Sequence, residues 1–438
     1  MTGKAHAVHR KPDARTIAMQ VVERVLFDQA YAAAALNAEF ARCPQLSTRE
    51  RAFATEVVYT ALRCRRALEA RLAKEAPRGL PKDRVVKAAL LVAATQTLLM
   101  NSASSPIAVD AAVSRVKARR DAKSSGFVNA LLRRIVAGPP LERAEALRAN
   151  LPDWLRQRLV MAVGVEETDA LIGVDTSGGL ISRSVDIRLV TGHEIPDWLA
   201  AAMPGRWLSG SRKVEKSGDL RGAPGFDAGD FVVQEEGAQL IAWALDVPAG
   251  ATVLDVCAGR GQKTTLLAEH VGVSGKVWST DLHESKLDAL RAELARLHLT
   301  NVQTMALDWS VGGGQLPIDF EFALVDAPCT GTGTLYKRPE ILDRLQPSDP
   351  GRMGELATQI LKNVAKFCRK GARVVYAVCS VLPEEGELVL ARVDDIFEPT
   401  PFTTAAVRSA FGGELSFGRL LPLRHGTDGY FLANLRKR

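Results

Sequence analysis

The stretch VLDVCAGRGQKTT, residues 253 to 265, decides how the rest of the chain is read. It opens within the short apolar run ATVLDV, the pattern of a strand buried on both faces. Gly259 and Gly261 then let the backbone turn tightly and approach a ligand, and a helix is expected from about Lys263. Downstream, KVWSTD, VQTMAL, FEFALVD and ARVVYAV repeat the short apolar run. The segments KTTLLAEHV, ESKLDALRAELARL and MGELATQILKNVAKF separate these runs with helical periodicity. From about residue 236 onward this predicts a doubly wound parallel α/β sheet with ligands at the carboxyl ends of its strands.

Those strand ends carry acids. The second strand ends at Asp281, 20 residues after Gly261, the offset at which a carboxylate meets ribose hydroxyls. The third ends in Leu307-Asp308-Trp309, an acid and an aromatic for the edge and face of an adenine. A phosphate-binding P-loop is excluded, because Cys257 and Gln262 stand where its glycines belong. The dinucleotide fingerprint lacks its third glycine, since Thr264 occupies that place. S-adenosylmethionine, with a ribose and an adenine but no phosphates, fits better. The bland alternative leaves Asp281 and Asp308 as helix caps.

The fourth strand ends in Asp326-Ala327-Pro328-Cys329 and the fifth in Cys379-Ser380. Adjacent parallel strands would bring both thiols to one crevice beside the methyl donor. A buried, inert thiol explains either cysteine alone, but not the pair. Pyrimidine chemistry explains two. C5 of a pyrimidine is a poor nucleophile until a thiolate adds at C6, and the adduct must then lose a proton and expel the thiolate. Asp326 is placed to hydrogen-bond the N3–N4 edge of the ring. On this chemistry alone either thiol could attack.

Upstream, residues 13 to 150 are helical in period. Ile17, Val21, Val22, Val25 and Leu26 form one apolar stripe, and Phe127, Val128, Leu131, Leu132 and Ile135 another. Residues 1 to 150 hold 26 Lys and Arg against 13 Asp and Glu, an excess of 13, so the remainder carries a net −6 beneath the total of +7. A basic helical module points to a polyanion, with Arg115, Lys117, Arg119, Arg120, Arg133 and Arg134 grouped near its end. Between the modules, LPDWLRQRL reads as a helix and ISRSVDIRLV as a strand. The six cysteines show no CxxC spacing and the seven histidines do not cluster, which argues against a metal site or a disulfide framework. VVKAALLVAATQTLLM (85 to 100) is interrupted by Lys87, Thr95 and Gln96 and reads as a buried helix. The first residues lack the apolar core of a secretion signal, so a cytoplasmic protein is expected.

Taken together, Asp-Ala-Pro-Cys with its Thr-Gly run and the Tyr-x-x-Cys-Ser strand end resemble the Nop/Sun family of RNA 5-methylcytosine methyltransferases. LNAEF, RAFATEVVYTALR, SGFVNALLRRI, LPDWL and GDFVVQEEGAQL extend the likeness to its bacterial Sun (RsmB, Fmu) branch over nearly the whole chain. The resemblance implies a NusB-like RNA-binding helical domain over 1–145, a connecting α+β subdomain over 146–235 and a Rossmann-like methyltransferase domain over 236–438. It implies Cys379 as nucleophile, Cys329 as the thiol that helps release product, and Asp326 beside them. Cys257, Ala258, Gly259, Arg260, Gly261, Gln262, Lys263, Asp281, Asp308 and Asp326 would hold S-adenosylmethionine, with no metal. The implied substrate is a cytosine of small-subunit (16S) ribosomal RNA, the implied partner is RNA without a membrane, and a monomer is expected. The alternatives are a transfer-RNA cytosine-5 methyltransferase and a non-enzymatic RNA-binding or ribosome-assembly factor with a vestigial methyltransferase domain. A basic helical module disfavours a small-molecule methyltransferase. The chain departs from the family pattern at Gly259, Arg260, Gln262, Val378, Gly386 and in QEEGAQ.

Overall fold

The computed structural model describes residues 13–100, 105–181, 184–215, 220–314, 316 and 319–438. The first 12 residues, and with them the start of the chain discussed above, lie outside the described residues, as do 182 and 183 of ISRSVDIRLV. The chain divides into two compact units, Met1–Pro152 with Tyr336–Arg344, and Asp153–Leu335 with Leu345–Arg438.

The first unit is helical. Its helices Ala14–Phe27, Thr48–Arg63, Arg84–Leu98 and Ala122–Ala137 each start on a side chain that accepts from the first turn: Asp13, Ser47, Asp83 and Asp121. Ser47 and Glu50 form a reciprocal capping box. The expected stripes turn inward: Ile17, Val21, Val22 and Val25 are buried, as are Val128, Leu131, Leu132 and Ile135. Arg84–Leu98 is buried along most of its length. Among the described residues no helix is long and apolar enough to cross a membrane.

The segment Tyr336–Arg344 belongs to this helical unit although it is distant in sequence. Arg63 donates to the Tyr336 carbonyl at 2.8 Å and stacks 3.7 Å from its ring centroid. Glu340 accepts from the Ala32 N–H, Arg344 donates to the Ala30 carbonyl at 2.7 Å, and Arg65 pairs with Asp343.

The second unit holds two sheets. A small one takes the order β2-β3-β1-β4 from β1 (Val185–Leu189), β2 (Met203–Pro204), β3 (Ser211–Val214) and β4 (Phe231–Val233), all antiparallel. Buried Arg188 ties it to the larger layer, reaching Gln234 at 2.8 Å, Glu269 at 2.5 Å and Thr265 at 3.0 Å. The large sheet is built from β5 (Thr252–Asp255), β6 (Lys276–Asp281), β7 (Val302–Ala306), β8 (Phe320–Asp326), β9 (Cys368–Val378), β10 (Phe397–Pro399), β11 (Phe417–Leu420) and β12 (Tyr430–Lys437). The five runs singled out in the sequence form its parallel part, in the order β7-β6-β5-β8-β9. The sheet is mixed rather than wholly parallel, because β12 pairs antiparallel with β9 and carries β10 and β11 on its other side. Apolar clusters cover both faces, as buried parallel strands require.

Candidate active site

The strand order places the ends of β5 and β8 side by side, with β6 and β9 flanking them. After β5 the chain turns through Gly259 (φ +59°) and Gly261 (φ +85°), left-handed conformations that favour glycine, and enters the helix Gln262–Val271. Gly261 has a second constraint: a Cβ there would meet Leu290 Cδ1 at 2.1 Å. The loop is pinned by the Gly259 N–H donating to Asp281 Oδ2 at 3.0 Å and the Ala258 N–H donating to the Thr280 carbonyl at 2.8 Å.

A cavity of about 340 Å³ opens here, lined by Asp255, the loop Cys257 to Arg260, Gln262, Lys263 and Asp326. Lys263 reaches across it to Asp326, Nζ to Oδ2 at 2.6 Å. Burial by itself disfavours the Lys263 ammonium, but Asp326, with help from Cys379 and Asp255, holds it above the ordinary lysine value. Asp255, which the sequence reading did not single out, is 1% exposed. Thr264 donates to its Oδ2 at 2.6 Å, while Oδ1 has no partner among the described residues. Burial pushes this carboxyl up to about 7. An unpartnered buried carboxyl oxygen on a cavity wall, a glycine loop with free approach at Gly259 and a fixed Lys–Asp pair suit a ligand with hydroxyl and amino groups, such as S-adenosylmethionine.

The thiols lie together. Cys329 Sγ and Cys379 Sγ are 3.2 Å apart, each half-buried at the end of its strand. The hydrogen bond with Cys379, then burial, push the Cys329 thiol well above its ordinary value, and the charges of Cys379, Glu385 and Asp326 act the same way. Burial likewise pushes the Cys257 thiol up, leaving it an inert wall group. Among the described residues no group of three or more His, Cys, Asp or Glu could hold a metal ion.

The remaining residues singled out in the sequence are placed as follows. Asp281 is buried and accepts from Gly259 N–H, from His283 N–H at 2.9 Å and from Lys286 at 3.1 Å. A carboxylate has about four lone-pair directions, so room for a hydroxyl remains. Asp308 accepts from Ser310 N–H and Oγ, which hold its carboxyl below the usual range. Trp309 is a correction: it is not an exposed face for adenine. It is 3% exposed, donates to Thr280 Oγ1 at 2.8 Å and meets Phe367 edge-on at 5.4 Å, so its ring is part of the core. Arg260 is exposed, and Gln262 turns its amide to the Val233 carbonyl at 3.1 Å. At Gly386, one of the departures from the family pattern, a Cβ would press on the Phe431 ring at 2.9 Å, so Phe431 fills the space a side chain there would need.

Three groups near the thiols were not singled out as site residues in the sequence: Glu385, and Thr330 and Ser380, which counted there only as part of the family pattern. Glu385 accepts from Thr330 N–H at 2.6 Å, Thr330 Oγ1 at 2.5 Å and Ser380 Oγ at 2.5 Å. Only their position beside the two cysteines, or in the Pro-Glu-Glu run, could have drawn notice.

Residues 242–436 match the family model described as 16S rRNA methyltransferase RsmB/F, and residues 12–137 match that of the NusB family. The chain is 32% identical to the ribosomal RNA small subunit methyltransferase B of Thermus thermophilus, over 89% of either chain. The crystal structure of a protein named PH0851 superimposes with a TM-score of 0.81 at 21% identity, covering 97% of this chain and 99% of that one. NSun6 from Pyrococcus horikoshii, solved with SFG, gives a TM-score of 0.55 at 17% identity over 65% of this chain and 98% of its own.

Proposed function

Because the chain belongs to the RsmB/F family of 16S rRNA methyltransferases, with an N-terminal NusB domain, we propose that it methylates C5 of a cytosine through a covalent cysteine adduct at C6. The coarser activity, S-adenosylmethionine-dependent methylation of ribosomal RNA, comes with the family. The site of action would be the cytoplasm, and the working unit a monomer. Bound against the 257–263 loop, S-adenosylmethionine supplies an electrophilic sulfonium methyl. Asp281 would take its ribose, Asp308 the adenine edge, and exposed Leu282 and Val311, at neighbouring strand ends, would flank the adenine in place of Trp309.

The observation that carries the cytosine reading is the thiol pair 3.2 Å apart beside the Lys263–Asp326 pair. The Lys263 ammonium gains from negative charge on Cys379, whereas the hydrogen bond with Cys379 and burial, then the charges of Cys379, Glu385 and Asp326, disfavour charge on Cys329. This supports Cys379 as the thiolate that adds to C6, with Cys329 entering as a thiol. Addition makes C5 the carbon that accepts the methyl, while Asp326 holds the N3–N4 edge and steadies charge developing there. Once Cys379 is a neutral thioether, its charge no longer opposes ionisation of Cys329, which yields its proton to solvent. Cys329 then takes the C5 proton, the C5–H pair forms the C5=C6 bond, and the C6–S bond breaks with its electrons returning to Cys379.

Each cysteine is changed to serine in the full chain, which is incubated with small-subunit rRNA and S-adenosylmethionine and run on a denaturing gel. Cys329→Ser should give a stable protein–RNA band and Cys379→Ser none. A band with Cys379→Ser alone would reverse the roles, and none with either would remove the covalent mechanism. Mapping 5-methylcytosine over ribosomal and transfer RNA in cells lacking the protein then fixes the target.

A further inference from the structure

Glu385 is 1% exposed and has no cation partner among the described residues. Isolated buried carboxylates are costly unless several donors satisfy them. All three donors here come from Thr330 and Ser380, the residues that directly follow Cys329 and Cys379. The two loops meet at further points: Thr332 Oγ1 lies 2.9 Å from Ser380 Oγ, and the Gly333 N–H donates to the Cys379 carbonyl at 3.0 Å. Glu385 is fixed from below, since fully buried Tyr376 donates its hydroxyl to the Glu385 carbonyl at 2.5 Å. Its neighbour Glu384 turns the other way and pairs with Arg158. One carboxylate therefore bridges the two strand-end loops through the residue that follows each thiol.

We propose that Glu385 is a positioning residue that clamps Thr330 to Ser380 and so holds Cys329 at the spacing from Cys379 that release of the methylated product requires. This rests on the reading of Cys329 as the releasing thiol. Attack by Cys379 needs only that one sulfur at C6. Proton removal from C5 needs the second sulfur at a fixed distance from the first, so loosening the clamp slows release more than attack.

The test uses the full chain with small-subunit rRNA. Glu385→Ala deletes the clamp. Glu385→Gln keeps it, because its carbonyl still accepts from Thr330 N–H while its amide donates to the two hydroxyls, which then act as acceptors. Glu385→Ala should accumulate the denaturant-stable adduct seen with Cys329→Ser and release product about tenfold more slowly, the scale of one lost hydrogen bond to a charged group. Glu385→Gln should restore release to near the unmodified rate. A merely structural role predicts lower thermal stability and less adduct, since an unfolded site forms none. If Glu385→Ala unfolds, Thr330→Val removes one hydroxyl bond while keeping the fold, and it should trap adduct too. Trapping by Cys329→Ser but by neither clamp variant overturns the proposal and leaves the mechanism standing. Absence of trapping by Cys329→Ser itself brings down the mechanism, and the clamp with it.

Discussion

Asp255 shows how much one buried side chain contributes at the residue scale. Its carboxyl is held neutral by burial up to about 7, against an ordinary aspartate value of 3.8. An acid whose folded value is raised favours the fold fully at low pH, and that contribution is lost as pH rises from about 3.8 to about 7. Asp255→Asn carries no such charge. Measured by thermal unfolding across that window, the variant should gain on the parent as pH rises, by on the order of a few kcal/mol at neutral pH. Equal pH profiles would mean that Oδ1 finds a partner in solution. Other residues of the site mark the limit of reading from sequence. Cys329 and Cys379 could be placed in one crevice because both end strands, and they lie 3.2 Å apart. Glu385 could not, since its partner Thr330 is 55 positions away and nothing in its neighbourhood signals burial. Trp309 was misread because a tryptophan after a strand looks the same whether its ring faces a ligand or, as here, Phe367.

Among the elements, the glycine turn after β5 bears most on the site. Gly261→Ala would impose a positive φ on a residue with a side chain and drive its methyl into Leu290. Overpacking of this kind costs roughly 1–3 kcal/mol. The expected result is a lower unfolding midpoint together with weaker S-adenosylmethionine binding by calorimetry, because the loop and the helix after it move together. An alanine variant with unchanged affinity would show that the turn is not part of the cofactor site. The parallel strands were legible because each is a short apolar run, and long helices follow β5, β6 and β8. β12 was not, although Tyr430 to Leu435 are all buried. It pairs antiparallel with β9 and so needs no crossover helix, and the chain between them holds only short helices and the edge strands β10 and β11.

For the whole molecule, charge divides between a basic helical unit and an acidic remainder, which predicts that RNA binding rests on the helical unit. The structure narrows which charges are available. Arg115 pairs with Glu23, Arg120 with Asp83 and Arg134 with Glu75, whereas Lys117, Arg119 and Arg133 are exposed and form no ion pair among the described residues. Changing those three to Glu in the full chain should weaken RNA binding and reduce the slope of log affinity against log salt by roughly 2–3, at about 0.7–0.9 per phosphate contact. An unchanged slope would return these residues to ordinary solvated surface.

The segment Tyr336–Arg344 has a consequence for how the protein is made. The helical unit is encoded first, yet part of its surface, where Arg63, Ala30 and Ala32 find their partners, is completed by residues near position 340. At a synthesis rate of about 5–20 residues per second, roughly 10–40 s pass between the emergence of residue 152 and that of residue 344. During that interval the Arg63 guanidinium lacks the Tyr336 carbonyl and ring that partner it in the finished fold. The bundle therefore leaves the ribosome early but finishes folding late, only after the Asp-Ala-Pro-Cys strand end has been synthesised.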